Sequence, residues 1–274
     1  MKLDYLALRI TRHFLPEKIV RFMLLRGWVI HASTETMHPQ AAINRYLDVI
    51  GLTGFQDKDV LVFGYGGRFD IGLGLLEAGA KHVTLCDKFA PSDDPHNATL
   101  LQRYPKYLFL EDGRARPRPE HITLLQGDIR DVKLGSVQPF DIVVSNSVYE
   151  HLDDVDGITR ALATLTQPDG LHIHHVDLRD HYFKYPFEML HYSGKTWYGW
   201  LNPTSNHNRF RLWNYKDIFE KYFEDVQIEV LERNETAFEK ARPRIRPEFT
   251  SGNLQDDSVT LIRVAASRPR KLSQ

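Results

Sequence analysis

Two groups of residues in this chain could do chemistry. The first is Gly64-Tyr65-Gly66-Gly67, entered from the apolar run Val60-Leu61-Val62-Phe63 and left through Arg68-Phe69-Asp70. Glycine lets the backbone turn sharply and approach a ligand, and a helix starting just beyond offers unpaired N–H groups. A nucleotide-like cofactor is therefore expected there. Asp87 closes a second apolar run, where it can accept hydrogen bonds from both hydroxyls of a ribose. Asp128, in Gly127-Asp128-Ile129, is placed to reach an adenine amino group, with Ile129 against the ring. The second group is acid–base in character. His151 follows Glu150, and Asp177, Asp180 and His181 share one five-residue stretch. Such side chains can take a proton from a reacting group, so His151, His181 and Asp177 are the candidate catalytic residues. Glu150 could orient a partner or face the cofactor.

An alternating scaffold must bring these residues together. Short apolar runs at Val60–Phe63, His82–Cys86, Ile122–Leu125, Asp141–Ser145, Leu171–Val176, Val226–Val230 and Val259–Val264 read as seven strands. Helical stretches include Asp70–Ala80, with Gly79 near its end, and Tyr215–Phe223. The alternation predicts an α/β fold, a doubly wound, mostly parallel, seven-stranded Rossmann-like sheet. Residues 1–55 read as a helical N-terminal extension, from Leu3, Leu6 and Ile10 and later Ala42, Tyr46 and Ile50. That extension breaks near His38-Pro39 and ends at Gly51-Leu52-Thr53-Gly54; residues 56–274 form the main domain. Two insertions interrupt the alternation. Residues 88–120 carry five prolines and the basic run Arg114, Arg116, Arg118, which reads as a solvated loop. Residues 181–215 hold three of the four tryptophans and are expected to cap the C-terminal edge of the sheet, where ligands bind in this architecture. On the fifth strand His172 and His174 share a face and His175 points the other way.

Two common nucleotide motifs fail here. The dinucleotide fingerprint wants a small residue where Phe69 stands, and no Gly-Lys-Ser or Gly-Lys-Thr follows a strand. Taken in order, the glycine loop, Asp87, Gly127-Asp128, Glu150-His151-Leu152 and Gln167-Pro168-Asp169-Gly170 resemble the class I S-adenosylmethionine-dependent methyltransferases over about residues 55–180. The resemblance implies methyl transfer to an oxygen or nitrogen of a small organic molecule. It implies that Gly64, Tyr65 and Gly66 line the methionine portion of S-adenosylmethionine, and that Asp87, Lys88, Asp128, Ile129 and Asn146 complete the cofactor site. The chain departs from the family at Phe63, where an acidic residue is usual, and at Arg68, where a third glycine often sits. Arg68 could pair with the cofactor's carboxylate or stay on the surface. Glu150-His151 also matches part of the Glu-x-x-Glu-His pattern of metal-dependent members, such as small-RNA 2'-O-methyltransferases and ubiquinone-pathway O-methyltransferases. Ser147 takes the place of the first glutamate, removing a hard oxygen ligand that magnesium prefers, so no metal is expected.

Composition narrows the partners. The 274 residues are 42% hydrophobic and 26% charged, an ordinary globular balance. Thirty-five basic residues against 36 acidic ones give a net charge of -1, so no nucleic-acid partner is expected. Arg209 and Arg211 could bind an anionic substrate group or close a loop. The single cysteine, Cys86, excludes a disulfide within the chain and a cysteine-based zinc site, and points to the cytoplasm. Ile19–Ile30 is apolar but carries Arg21, Arg26 and Gly27 and is too short to span a bilayer. It reads as a packed helix, with weak membrane-surface contact as the alternative and no transmembrane segment. No oligomeric state is read from the sequence. Two other readings stay open, a non-catalytic S-adenosylmethionine-binding module and an NAD(P)-dependent oxidoreductase.

Overall fold

The computed structural model describes residues 2–16, 18–19, 39–51, 54–133, 135–182 and 184–271. Most of the apolar Ile19–Ile30 segment, the His38 break and Leu52-Thr53 lie outside the described residues. Two helices of the expected N-terminal extension are present, α1 (Leu3–Phe14) and α2 (Pro39–Ile50). Among the described residues no helix is long and apolar enough to cross a membrane.

All seven expected strands form. They are β1 (Asp59–Phe63), β2 (His82–Asp87), β5 (Ile122–Gln126), β6 (Phe140–Asn146), β7 (Thr166–Asp177), β8 (Phe223–Arg233) and β9 (Val259–Pro269). One sheet orders them β5-β2-β1-β6-β7-β9-β8, with parallel pairing from β5 to β7 and antiparallel pairing of β9 with both β7 and β8. β1 and β6 carry the buried apolar runs Val60–Phe63 and Ile142–Val144, because helices cover both faces. The chain winds outward from β1 to β2 and β5, then restarts on the other side at β6. This reversal opens a crevice beyond the C-terminal ends of β1 and its neighbours.

The described helices between strands are α3 (Asp70–Glu77), α4 (Asp94–Leu100), α5 (Val155–Thr164), α6 (Leu212–Tyr222) and α7 (Glu235–Ala241), besides shorter turns. Gly79 follows α3 in a left-handed conformation, which ends that helix earlier than Ala80. Helix α6 starts at Leu212, three residues before the expected Tyr215, because Asn214 reaches back to bond the Arg211 N–H. β7 begins at Thr166 rather than Leu171, so Gln167–Gly170 belongs to the strand.

The basic run Arg114, Arg116, Arg118 is solvated but not a loop, because Arg114 and Arg116 lie on a strand, and residues 88–120 are ordered around it. They hold α4 and a hairpin of β3 (Leu108–Glu111) and β4 (Arg114–Pro117), with Leu108 and Ala115 buried. Arg114 pairs with Asp94 and Arg116 with Glu111.

Two core layers sandwich the sheet. One packs α5 and α6 against β6, β7 and β9; the other packs α2 and α3 against β1 and β2. A polar chain runs through the first. Thr166 Oγ1 donates to the Leu162 carbonyl, so it accepts from His172 Nε2, at 2.8 Å. His172 Nδ1 is then bare and accepts from His174 Nε2, at 3.1 Å, while His174 Nδ1 accepts from the Ser145 hydroxyl, at 2.7 Å. Each imidazole is thereby fixed as one neutral tautomer. Burial pushes His172 down to about 3 and holds His174 well below the usual histidine range.

The aromatic insertion forms a third cluster. Phe187, Met189, Leu190, Trp197 and Leu201 pack with Phe238 of α7, and Leu6 of α1 leans on them. Asp180, fully buried, anchors this side. It accepts from the Tyr5 hydroxyl at 2.5 Å and pairs with Arg9, both on α1.

Candidate active site

The glycine turn stands where β1 leaves the sheet. Gly64 and Gly66 both adopt left-handed backbone, with φ of 79° and 70°. A side chain at Gly64 would run into Val148, whereas one at Gly66 would meet nothing within 4 Å. Gly66 therefore bares its backbone to open space, and Gly127 does the same at the end of β5. Main-chain bonds knit these places together, Gly64 N–H to the Cys86 carbonyl at 2.8 Å and Gly127 N–H to the Asp87 carbonyl at 3.1 Å.

Asp87 organises the turn. One carboxylate oxygen accepts from Gly66 N–H at 3.0 Å, and the other from Phe89 and Ala90 N–H at 2.8 and 2.7 Å. Asp128 is held more fully. Arg130 grips it through its side chain and backbone, and Lys88 adds a bond at 3.0 Å. The Arg130 contact in particular keeps its carboxyl far below the usual range. With all its lone-pair directions engaged, Asp128 can accept a further donor only by releasing one of these cations.

Tyr65 and Ile129 are buried among core residues, Tyr65 stacking on Phe69 with ring centroids 6.4 Å apart. Tyr65 thus has little side-chain surface to offer a ligand. Phe63 packs edge-on against Tyr149 in the core. Arg68 pairs with Asp93 at 2.9 Å on the surface. Asn146 ends β6 beside His175 of β7.

Past the ends of β6 and β7 a second cluster forms. Ser147 takes a left-handed φ of 52°, and a short 3-10 turn, Tyr149–His151, follows. Ligand-capable atoms of Glu150, His151 and His181 all lie within 4.8 Å of one another. His181 Nε2 is 3.9 Å from a Glu150 carboxylate oxygen. A third imidazole joins them, since His207 has its ring centroid 4.8 Å from His181 and 5.8 Å from His151. Sequence reasoning missed His207, which is 56 residues beyond His151. Its signal was Asn206-His207-Asn208, a histidine between residues that tolerate left-handed backbone.

The structure shows how that loop is stitched in place. Asn206 and Arg209 both have left-handed backbone, with φ of 58° and 64°. The Asn208 amide donates to the Tyr149 and Leu152 carbonyls, and its N–H donates to the Glu150 carbonyl. Trp197 Nε1 donates to the His207 carbonyl at 3.0 Å. Burial raises Glu150 well above the carboxylate range, with Asp177 adding to it. Burial also pushes His181 down to about 3, with His151 contributing, and holds His207 well below the usual histidine range. Glu150, His181 and His207 are therefore uncharged at pH 7.

Asp177 and Asp180 are not poised as bases. Arg179 grips both oxygens of Asp177, and Asp180 is occupied by α1. Arg209 and Arg211 close loops. Arg209 donates to the Met189 and Tyr192 carbonyls beneath the Trp197 ring, and Arg211 to those of Leu178, Asp257 and Val259. A cavity of about 420 Å³ opens on the α2 side of β7 and β9, lined by Arg45, Asp48, His175, Glu229 and Arg263 among others.

A sequence profile described as a methyltransferase domain matches residues 37–227. No curated protein sequence matches the chain. Among solved structures, the 1,6-didemethyltoxoflavin-N1-methyltransferase of Burkholderia thailandensis, with bound 1,6-didemethyltoxoflavin and S-adenosylhomocysteine, has a TM-score of 0.51 at 14% identity, covering 98% of this chain and 92% of that one. Phosphoethanolamine N-methyltransferase 2 of Haemonchus contortus, in complex with phosphomonomethylethanolamine and S-adenosylhomocysteine, has a TM-score of 0.50 at 18% identity, covering 84% of this chain and 53% of that one. At such identities the likeness is one of fold.

Proposed function

The chain belongs to the methyltransferase-domain family, and from that membership we propose that it moves a methyl group from S-adenosylmethionine to an oxygen or nitrogen of a small organic molecule. One observation carries the cofactor half of this reading. At the sheet's reversal the bare Gly66 backbone is tied to Asp87, and Gly127 is knitted to the same residue. Gly64, Gly66, Asp87, Lys88, Asp128, Ile129 and Asn146 are assigned to hold the cofactor, with Tyr65 contributing main chain. Phe69, wholly buried where a dinucleotide fold wants a small residue, counts against a nicotinamide nucleotide.

S-adenosylmethionine supplies an electrophilic methyl group on a sulfonium, which leaves alignment and proton removal to the protein. His151 and His181 stand past β6 and β7, where an acceptor would meet the cofactor crevice. His181, held neutral by burial, can accept a hydrogen bond from it, with His151 beside it. Asp177 is assigned a positioning role through Arg179. The small-acceptor reading is supported by the near-zero net charge and by the Burkholderia thailandensis neighbour, which was solved with a small-molecule ligand. A buried lone cysteine fits a cytoplasmic protein.

Calorimetric titration with S-adenosylmethionine and S-adenosylhomocysteine tests this. Both should bind the wild type, and Asp87→Ala should weaken binding by at least about tenfold, since it removes a ribose acceptor and the anchor of the glycine turn. His181→Ala should keep that affinity while turnover on an identified acceptor falls by about a hundredfold. Failure of the wild type to bind either compound would overturn the proposal.

A further inference from the structure

We propose that Glu150, His151, His181 and His207 form a binding site for a single divalent transition-metal cation such as zinc, iron(II) or cobalt(II). Three observations carry it independently of the cofactor reading. The first is convergence, since a carboxylate and three imidazoles from three separate segments meet past the ends of β6 and β7.

The second is the state of the two most buried members. Among the described residues neither carboxylate oxygen of Glu150 nor either ring nitrogen of His207 has a well-formed hydrogen bond, and both residues are only 1% exposed. Buried polar atoms are nearly always satisfied, and two such residues side by side call for a shared partner. A cation would satisfy both at once.

The third is orientation by outer partners. His151 Nδ1 donates to the Asn206 carbonyl at 2.9 Å, which fixes the ring's proton and orientation. A ligating histidine typically donates its other nitrogen to a carbonyl or carboxylate in this way. Asn208 and Trp197 then hold the backbone that carries His207.

The donor set selects the metal. Three imidazoles and one carboxylate suit a cation of borderline softness, whereas magnesium prefers oxygens. Ser147 removes one oxygen ligand from a single stretch of sequence, and the fold supplies His207 from elsewhere. Ligands about 2.0–2.1 Å from a tetrahedral metal lie roughly 3.3 Å apart, so binding would draw the ligand atoms of Glu150, His151 and His181 together by up to about 1.5 Å, with His207 moving in beside them. On binding, Glu150 gives up its proton to solvent. Use of the metal to hold and acidify an acceptor oxygen rests on the methyl-transfer reading, but its binding does not.

The test uses the full chain stripped with a chelator and titrated with cobalt(II), followed by calorimetry and by its visible ligand-field absorption. One equivalent should bind. His207→Ala and Glu150→Gln should each weaken binding by about 100-fold, at least the largest loss seen for an outer partner. His82→Ala, at the far end of β2, should bind as the wild type does. Should a variant melt before titration, copper(II) and pulsed electron paramagnetic resonance on the wild type decide, with coupling to two or more imidazole nitrogens expected. No binding by the wild type, affinity unchanged in both variants, or copper without imidazole coupling would each overturn the proposal. S-adenosylhomocysteine titrated in parallel separates the readings, because metal binding without cofactor binding sinks only the methyl-transfer function.

Discussion

The histidines of β7 show how much a single side chain's chemistry depends on what surrounds it. His172 and His174 are locked as neutral tautomers between the Ser145 and Thr166 hydroxyls, and His175, on the opposite face, is pushed down to about 4 by burial and by Arg45 and Arg263. In the unfolded chain these rings take up protons near the ordinary value of about 6.5. The folded chain does so only near 3 or 4. Between those limits the unfolded state binds more protons, so stability is full above about pH 6.5 and falls as the pH drops. Each ring contributes up to about 1.4 kcal/mol per pH unit. Glu150, held protonated by burial, acts with the opposite sign, but it is one group against several. Melting temperature should decline steadily from about pH 6 downward. A flat profile from pH 7 to 5 would refute the buried neutral assignment.

Among the elements, the 206–209 loop shows the greatest dependence on a single residue. Asn208 donates to two carbonyls of the 149–152 turn, while its oxygen accepts from Phe210 N–H and the Tyr215 hydroxyl. Asn208→Ala orphans several of these groups in the interior and should cost about 2–4 kcal/mol. Thermal melting would read this as a drop of roughly 5–15 °C, and an unchanged melting point would contradict it. Legibility in the sequence follows the same physics. The central strands were readable because both-face burial demands unbroken apolar runs such as Val60–Phe63 and Val143–Val144. The β3–β4 hairpin was not, because its charged residues outnumber its two buried ones and its pairing is local. Gly64, Asp87 and Gly127 were legible from the turns their types permit. That Asp128 would be saturated by Arg130 and Lys88 depends on side-chain placement, which no spacing encodes. His207 lay hidden because only the folded loop brings it to His181.

For the molecule as a whole, α1 is fastened at Asp180, 175 residues downstream of Tyr5. Asp180→Asn leaves the Arg9 guanidinium buried without its counter-charge, a loss of about 3–5 kcal/mol. Hydrogen exchange should then rise together in residues 3–14 and 187–201, since Leu6 packs on that aromatic cluster; exchange confined to one of the two would argue against their coupling. The same link sets an order of events during synthesis. Helix α1 is made early, yet its anchor emerges only after the central strands β1 to β7 have been translated. At roughly 5–20 residues per second, α1 waits about 10–35 s with Tyr5 and Leu6 uncovered, long enough for a chaperone to hold it while the parallel strands β1 to β7 assemble.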